Sequence, residues 1–505
     1  MDRLTAVVLA TRQPASTFEY VSEPRTSYRE PTVAIIGAGF GGLGMAMTLK
    51  RAGFGNFTVF ERGTDLGGVW RENTYPGAAC DVPSPLYSYS FAPNRTWPRR
   101  YSEQPDILAY LRRVATEHGV LDRVRFGTEV TGAEFDEDSR RWRVETARGD
   151  TFEADVLIPA VGQLSRPALP DIPGAETFTG AAFHSATWNH DVDLTGKRIA
   201  VIGTGASAIQ FVPRIQPKAG RLTVFQRSAP YVVPKADRAY TRWHHRVYQA
   251  LPLTQLAGRF GTWSLGEFLT AALTSAQPLG KLVELLFKYQ LRRQIRDKRL
   301  REKLTPDYPI GCKRLLFSND WYPALEQSNV DVVTDRITGI TPNGVRTEQG
   351  EHEVDVIIYG TGFKATEFLA PMRIRGLDGH ELAKDWAEGA HAYLGISVPN
   401  YPNMFLIYGP NTNLGGNSII YMMEHQARYI LQVLRSGMSC VDVKPEVAAT
   451  FDEEVQRRLA HSVWSGCSSW YREANGRVST NWPGLVWEYH KRTAKPDLGA
   501  YQEVA

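Results

Sequence analysis

Residues Val33 to Glu61 read VAIIGAGFGGLGMAMTLKRAGFGNFTVFE, and this stretch decides the fold. Its first four residues have the length and branching of a buried parallel strand. They run straight into Gly37-Ala38-Gly39-Phe40-Gly41-Gly42, a G-x-G-x-x-G. Small residues are needed at each place: Gly37 turns sharply, Gly39 lets backbone amides approach a pyrophosphate, and Gly42 lets a helix lie close to the strand. A helix fits Leu43 to Ala52, and a second strand, Phe57 to Phe60, ends on Glu61. An acidic residue about 20 positions past the glycines is placed to accept ribose hydroxyls. A glycine-rich turn with no ligand would not put strand, helix, strand and acid in this register.

The chain has 505 residues, too many for one core, and about 150 residues per domain suggests three. With 43% hydrophobic and 22% charged residues it has ample core for a globular protein. Lys and Arg number 58 against 54 Asp and Glu, and the small excess reads as scattered, which argues against a nucleic-acid partner. Cys80, Cys312, Cys440 and Cys467 lie far apart with no C-x-x-C. That spacing argues against a metal site, a disulfide framework and a dithiol centre, and favours a reduced, cytoplasmic protein. No apolar run reaches the roughly 20 residues that span a bilayer, and the first residues lack the plan of a signal peptide. Met1 to Pro31 precedes the first strand without a glycine and reads as a surface arm, or else as a disordered tail.

After Glu61, Asp65-Leu66-Gly67-Gly68-Val69-Trp70 and Tyr75 to Asp81 form a loop rich in turn residues. In open α/β sheets such a loop lies at the carboxyl ends of the strands, beside the ligand, so Asp81 is either a functional carboxylate or a helix cap. Gln104 to His118 reads as a helix; Arg141 to Thr146 and Ala154 to Gly162 read as strands. PALPDIPG, Pro167 to Gly174, marks a boundary, and Phe178 to Trp188 reads as a linker holding a hydrogen-bonded His184. A second nucleotide unit follows: the strand Arg198 to Ile202, the G-x-G-x-x-A of Gly203, Gly205, Ser207 and Ala208, and a strand ending in Gln226-Arg227-Ser228. An arginine where the first unit has Glu61 suits the 2′-phosphate of NADP, although an exposed strand-end cation would look the same. One acidic and one basic unit in a chain imply FAD plus NADPH. Tyr240 to Glu302 has helical spacing and reads as an insertion over the site, with membrane-surface contact as the alternative. Val354 to Tyr359 reads as a strand and Asn403 to Thr412 as a strand into a turn, the latter followed by a helix from Ser418 to Leu434. The expected architecture is α/β, with two Rossmann-like domains and a helical insertion. The expected boundaries are an arm at 1–30, an FAD-binding domain at 31–166 and 380–505, an NADP-binding domain at 167–238 and 305–379, and the insertion at 239–304.

From about Val33 to Trp487 the chain resembles the class B flavoprotein monooxygenases, and within them the Baeyer-Villiger monooxygenases. The specific element is Phe178-x-Gly180-x-x-x-His184-x-x-x-Trp188, similar to the family fingerprint F-x-G-x-x-x-H-x-x-x-W-[P/D], with Asn189 at the last place. The resemblance implies an active-site aspartate at Asp81, NADP phosphate recognition by Lys313, a catalytic Arg314, and a mobile-loop tryptophan at Trp470. Cofactor contacts are expected from Gly37, Gly39, Gly42, Glu61, Gly68, Trp70, Asp81, Gly203, Gly205, Ser207, Arg227, Ser228, Lys313 and Trp470. The implied reaction inserts one atom of O2 beside a ketone carbonyl by way of a flavin C4a-peroxide, giving an ester or lactone. Oxygenation of sulfur or nitrogen, or electron transfer without oxygenation, are the rival activities. A small-molecule ketone and O2 are the expected partners, with no metal and no obligate protein.

Overall fold

Four residues suffice for the first strand, Val33–Ile36 (β1), because it is enclosed on both edges and both faces. In the computed structural model, which describes residues 29–275 and 277–504 and no side chains over 272–279, β1 leads into the helix Phe40–Arg51 (α1). The helix starts inside the glycine motif, three residues before Leu43. Beyond it, Phe57–Phe60 (β2), Val124–Arg125 (β3) and Val156–Pro159 (β4) complete a parallel sheet of order β3-β2-β1-β4. Alternating strands at Val130–Asp136, Arg141–Thr146 and Thr151–Ala154 form an antiparallel sheet, whose edge is joined in parallel by Arg373–Arg375. The chain has thus returned to the first unit ahead of residue 380. The expected arm, apart from its last two residues, lies outside the described residues. Thr32 onward forms one compact unit.

The second sheet is built from Ala181–His184 (β5), Arg198–Ile202 (β6), Arg221–Phe225 (β7), Val330–Val333 and Val356–Tyr359, and the helix Ala208–Ile215 (α2) follows β6. After β7 come Val232–Val233 (β8) and four helices, Arg242–Ala250 (α3), Pro252–Ser275 (α4), Gln277–Gln294 (α5) and Lys298–Lys303 (α6). Leu316–Phe317 (β9) then pairs in parallel with β8. With Val330–Val333 as β10 and Val356–Tyr359 as β11, the order is β10-β7-β6-β11-β5. Ile419–Leu434 (α7) packs on α1. Among the described residues no helix is long and apolar enough to cross a membrane.

Three expectations are corrected. The stretch read as a linker contains an edge strand: β5 runs in register with β11, His184 opposite Tyr359, which buries Phe183 and His184. Four residues rich in alanine carry too little pattern to announce it. The strand expected to open Asn403 to Thr412 is not a ladder strand; only Met404 and Phe405 make isolated bridges. Positive φ at Asn403, Tyr408 and Asn411 breaks the pleat. Finally, Cys312 and Cys467, 155 residues apart, are joined in a disulfide, with their Cα atoms 6.1 Å from each other. Their separation along the chain says nothing about their separation in space; Cys80 and Cys440 remain free and buried.

Trp188 explains one part of the fingerprint as packing. Its indole is buried, with ring centroids 5.2 Å from Phe183 and 5.3 Å from Phe211 of α2, so it clamps the crossover onto the second sheet. Trp188→Ala should cost about 3–5 kcal/mol of stability in urea unfolding. A loss within experimental error would show that the indole is not a packing element.

Candidate active site

A cavity of ≈ 1490 Å³ lies along the carboxyl ends of both parallel sheets. Pockets for one small molecule usually measure about 300–1,000 Å³, so this one has room for more than one ligand.

One end is the turn between β1 and α1. Gly37 has φ 102°, and a Cβ there would meet the Ala160 carbonyl at 2.8 Å. A Cβ on Gly42 would stand 1.8 Å from the Gly37 carbonyl oxygen. Helix α1 begins at Gly39 with no side-chain cap and no acidic residue in its first turn, and Gly39, Phe40 and Gly41 line the cavity. Uncapped amides and the positive end of the helix dipole fit a pyrophosphate. Glu61, buried at the end of β2, accepts from the amides of Ala38 at 2.9 Å and Gly63 at 2.8 Å and from Arg71 Nη1 at 2.7 Å. It therefore braces the turn and still lines the cavity. Gly68 (φ 54°) brings its loop against Gly39, and Trp70 donates to the Tyr87 hydroxyl at 3.1 Å.

The other end repeats the design with opposite charge. Gly203 has φ 105°, and its Cβ would strike the Gly360 carbonyl at 2.5 Å; Gly205 and Ser207 follow, and α2 is also uncapped. Because β9 pairs with β8, just beyond Arg227-Ser228, the ladder delivers Lys313 and Arg314 to this end. Lys313 Nζ donates to Ser228 Oγ at 2.9 Å and lies 4.3 Å from the Tyr308 ring centroid. Burial, with the Arg227 charge added, pushes the Lys313 ammonium below its usual range. Neither cation has an ion-pair partner among the described residues. Two cations crowded together with no ion-pair partner, and only the weaker pull of the Asp307 carboxylate on Lys313, fit a phosphate that the chain itself does not supply.

Between the two ends stands an ion pair. Arg314 donates to Asp81 Oδ2 from Nη2 at 2.6 Å and from Nε at 3.0 Å, with the side chains 29% and 21% exposed. The adjacent carboxylate raises the guanidinium pKa, so Arg314 stays a cation. The loop carrying Asp81 is tied to α2 by Gln210, whose Oε1 accepts from the Tyr75 hydroxyl at 3.0 Å and the Ala79 amide at 3.2 Å. Tyr408 and Tyr471, both near Arg314, were not legible as site residues. Burial pushes the Tyr471 phenol up to about 12, and the Trp470 ring, on the cavity wall, lies 4.2 Å from the Tyr471 ring. Tyr408 donates to Asn413 Oδ1 at 2.8 Å, and Asn413 Nδ2 to Asn481 Oδ1 at 2.7 Å. The one available signal was the Tyr408-Gly409-Pro410-Asn411 turn. Phe178, Gly180, His184 and Trp188 are not on the cavity wall; His184 sits behind Phe363, which is.

Two glycine cradles of opposite charge facing one cavity define a flavin oxidoreductase that handles two dinucleotides. A family model described as pyridine nucleotide-disulphide oxidoreductase matches residues 34–243. A Baeyer-Villiger monooxygenase of Streptomyces coelicolor is 45% identical, covering 95% of this chain and 94% of that one. Another, of Pseudomonas aeruginosa, is 44% identical, covering 94% and 91%. The crystal structure of OTEMO in complex with FAD and NADP matches with a TM-score of 0.85 at 27% identity, covering 94% of this chain and 100% of that one. The chain belongs to the Baeyer-Villiger monooxygenases.

His184 offers a test of the buried fingerprint. Its Nδ1 accepts from the Ala186 amide at 3.1 Å, its ring is buried near the Gly362 backbone, and burial holds the imidazole pKa below its usual range. The unfolded chain takes up a proton here as pH falls through about 6.5, while the folded one does so only at lower pH, so stability falls with pH in that window. His184→Asn should make the loss of stability between about pH 7 and about pH 5 shallower in thermal melts. Equal slopes would mean that His184 titrates as it does in the unfolded chain.

Proposed function

We propose that the protein converts a ketone, O2, NADPH and a proton into an ester or lactone, NADP+ and water. The observation that carries this reading is Arg314, held as a cation by Asp81 on the wall of the cavity that both cradles line. When bound, FAD supplies the redox chemistry, accepting hydride from NADPH and activating O2. Gly37, Gly39, Gly42, Glu61, Gly68 and Trp70 hold it; Asp81 contributes both to that site and to the orientation of Arg314. Gly203, Gly205 and Ser207 hold the pyrophosphate of NADPH, and Arg227, Ser228 and Lys313 hold its 2′-phosphate. The family model, which spans both glycine motifs, supports the pairing of cofactors.

Arg314 acts where charge builds. Attack on the ketone carbon moves negative charge onto its oxygen, and a fixed cation in a site shielded from water acts most strongly there. Asp81 is a positioning residue: two hydrogen bonds to one carboxylate oxygen fix the plane of the guanidinium. Trp470 closes the cavity wall against water. The same reading assigns 31–166 and the C-terminal part of the chain to FAD, 167–238 with the segment after 305 to NADP, and 239–304 to the insertion. It sets the enzyme in the cytoplasm, where NADPH is regenerated, with no obligate protein partner.

Arg227→Ala should raise KM for NADPH about ten- to a hundredfold, the worth of one charge-assisted contact, and leave KM for NADH nearly unchanged. Steady-state kinetics with both nucleotides decides this, and equal effects on the two would remove Arg227 from phosphate recognition. Arg314→Ala should keep NADPH-driven bleaching of the flavin, yet form ester about a hundred- to a thousandfold more slowly. Anaerobic stopped-flow reduction beside aerobic product analysis separates the two steps; ester formation at the wild-type rate would make Arg314 structural.

A further inference from the structure

Helix α4 is turned inside out, and α5 beside it carries a second apolar face toward solvent. A surface helix normally sends its apolar stripe inward and its charges to water. Over its whole length α4 carries two charged residues, Arg259 and Glu267, and both point into the protein. Arg259 donates to the Pro85 carbonyl at 2.7 Å and the Ser88 carbonyl at 3.1 Å; Glu267 accepts from Asn417 Nδ2 at 3.0 Å and from the amides of Val486 and Trp487 at 3.2 and 3.1 Å. The outward face instead presents Leu253, Leu256, Phe260 and Phe268, at the helical spacing of one stripe and 37–61% exposed. Helix α5 buries Phe287, in contact with Tyr231, on one side. Its other side holds Leu282, Leu285, Leu286 and Tyr289, 51–64% exposed. Eleven of the sixteen large hydrophobic residues exposed among the described residues fall between Trp243 and Tyr289.

Next to these faces the charge is one-sided. The expectation that the positive excess is scattered fails here: residues 281–303 hold nine Lys and Arg against three Asp and Glu, a local excess of six where the whole chain has four. Arg292, Arg293 and Arg296 are exposed at and just past the end of α5 and make no ion pair among the described residues.

We propose that α4 and α5 dock this protein onto an anionic lipid surface, lying in the headgroup layer without spanning it. Outward leucine and phenylalanine beside unpaired arginine match apolar chains beneath negative headgroups. A second copy of the chain matches poorly, since a two-fold contact would set the cationic segment against itself. The inner side of α4 also reaches the cavity wall: Glu267 holds Asn417, which lines it. The inference does not depend on which substrate the enzyme oxidises.

The test is flotation of the full-length, flavin-loaded protein with vesicles of phosphatidylcholine, alone or mixed with phosphatidylglycerol. The wild type should float with the mixed vesicles, at least about tenfold less with phosphatidylcholine alone, and be released by high salt. Two variants remove the two halves of the surface: Leu253→Ser with Phe260→Ser and Phe268→Ser, and Arg292→Glu with Arg293→Glu. Each should lose binding at least about tenfold while keeping the flavin content and melting cooperativity of the wild type. Failure of the wild type to float with anionic vesicles, or flotation of both variants like the wild type, overturns the proposal. So does a stable dimer in lipid-free buffer that the triple variant dissolves, because the face would then join copies of the chain. The salt dependence of the wild type gives a reading that needs no variant.

Discussion

Three consecutive side chains, Cys312, Lys313 and Arg314, each hold a different part of the molecule. Cys312 is bonded to Cys467 in the C-terminal segment that carries Trp470. Lys313 reaches Ser228 in the turn after the second glycine unit, and Arg314 reaches Asp81 in the loop of the first. A segment arriving from the helical insertion thus ties together both nucleotide cradles and the closing segment. The short β8–β9 ladder sets where the three point. Charged hydrogen bonds are worth about 1.5–3 kcal/mol each, little beside a core of this size, so their value lies in register.

Charge makes the two cradles different although their backbones are alike. Both start with a glycine at positive φ under a carbonyl, Ala160 for Gly37 and Gly360 for Gly203, and both open an uncapped helix toward the cavity. What distinguishes them stands at the end of the second strand. Glu61 is buried and has three donors of its own. Arg227 is exposed and crowds Lys313, and neither makes an ion pair among the described residues. An acceptor already braced and a cation pair left unpaired are suited to different ligands.

Most of this was legible where chemistry and local pattern coincide. The strand Phe57–Phe60 lies where the nucleotide unit that ends on Glu61 placed it, and α7 starts at Ile419 behind Ser418 as its N-cap, one residue inside the expected helix. Lys313 and Arg314, which the family resemblance and not the local pattern singled out, meet Ser228 and Asp81. What stayed hidden depends on pairing across long separations. The strand β5 exists because β11 lies beside it, and the Cys312–Cys467 bond joins residues that no spacing rule connects. Tyr408 and Gln210 likewise became visible only when the loops closed around Arg314 and Asp81. The outward apolar faces of α4 and α5 have helical periodicity, but periodicity alone does not say which face is buried.

The central claim is that this cavity directs one atom of O2 into a carbon–carbon bond beside a carbonyl. Turnover of a ketone with NADPH under 18O2, read by mass spectrometry, tests it most directly. The account predicts an ester or lactone with a single 18O atom, the other atom appearing in water. NADPH consumption that leaves the ketone intact and delivers all the oxygen as hydrogen peroxide would contradict it.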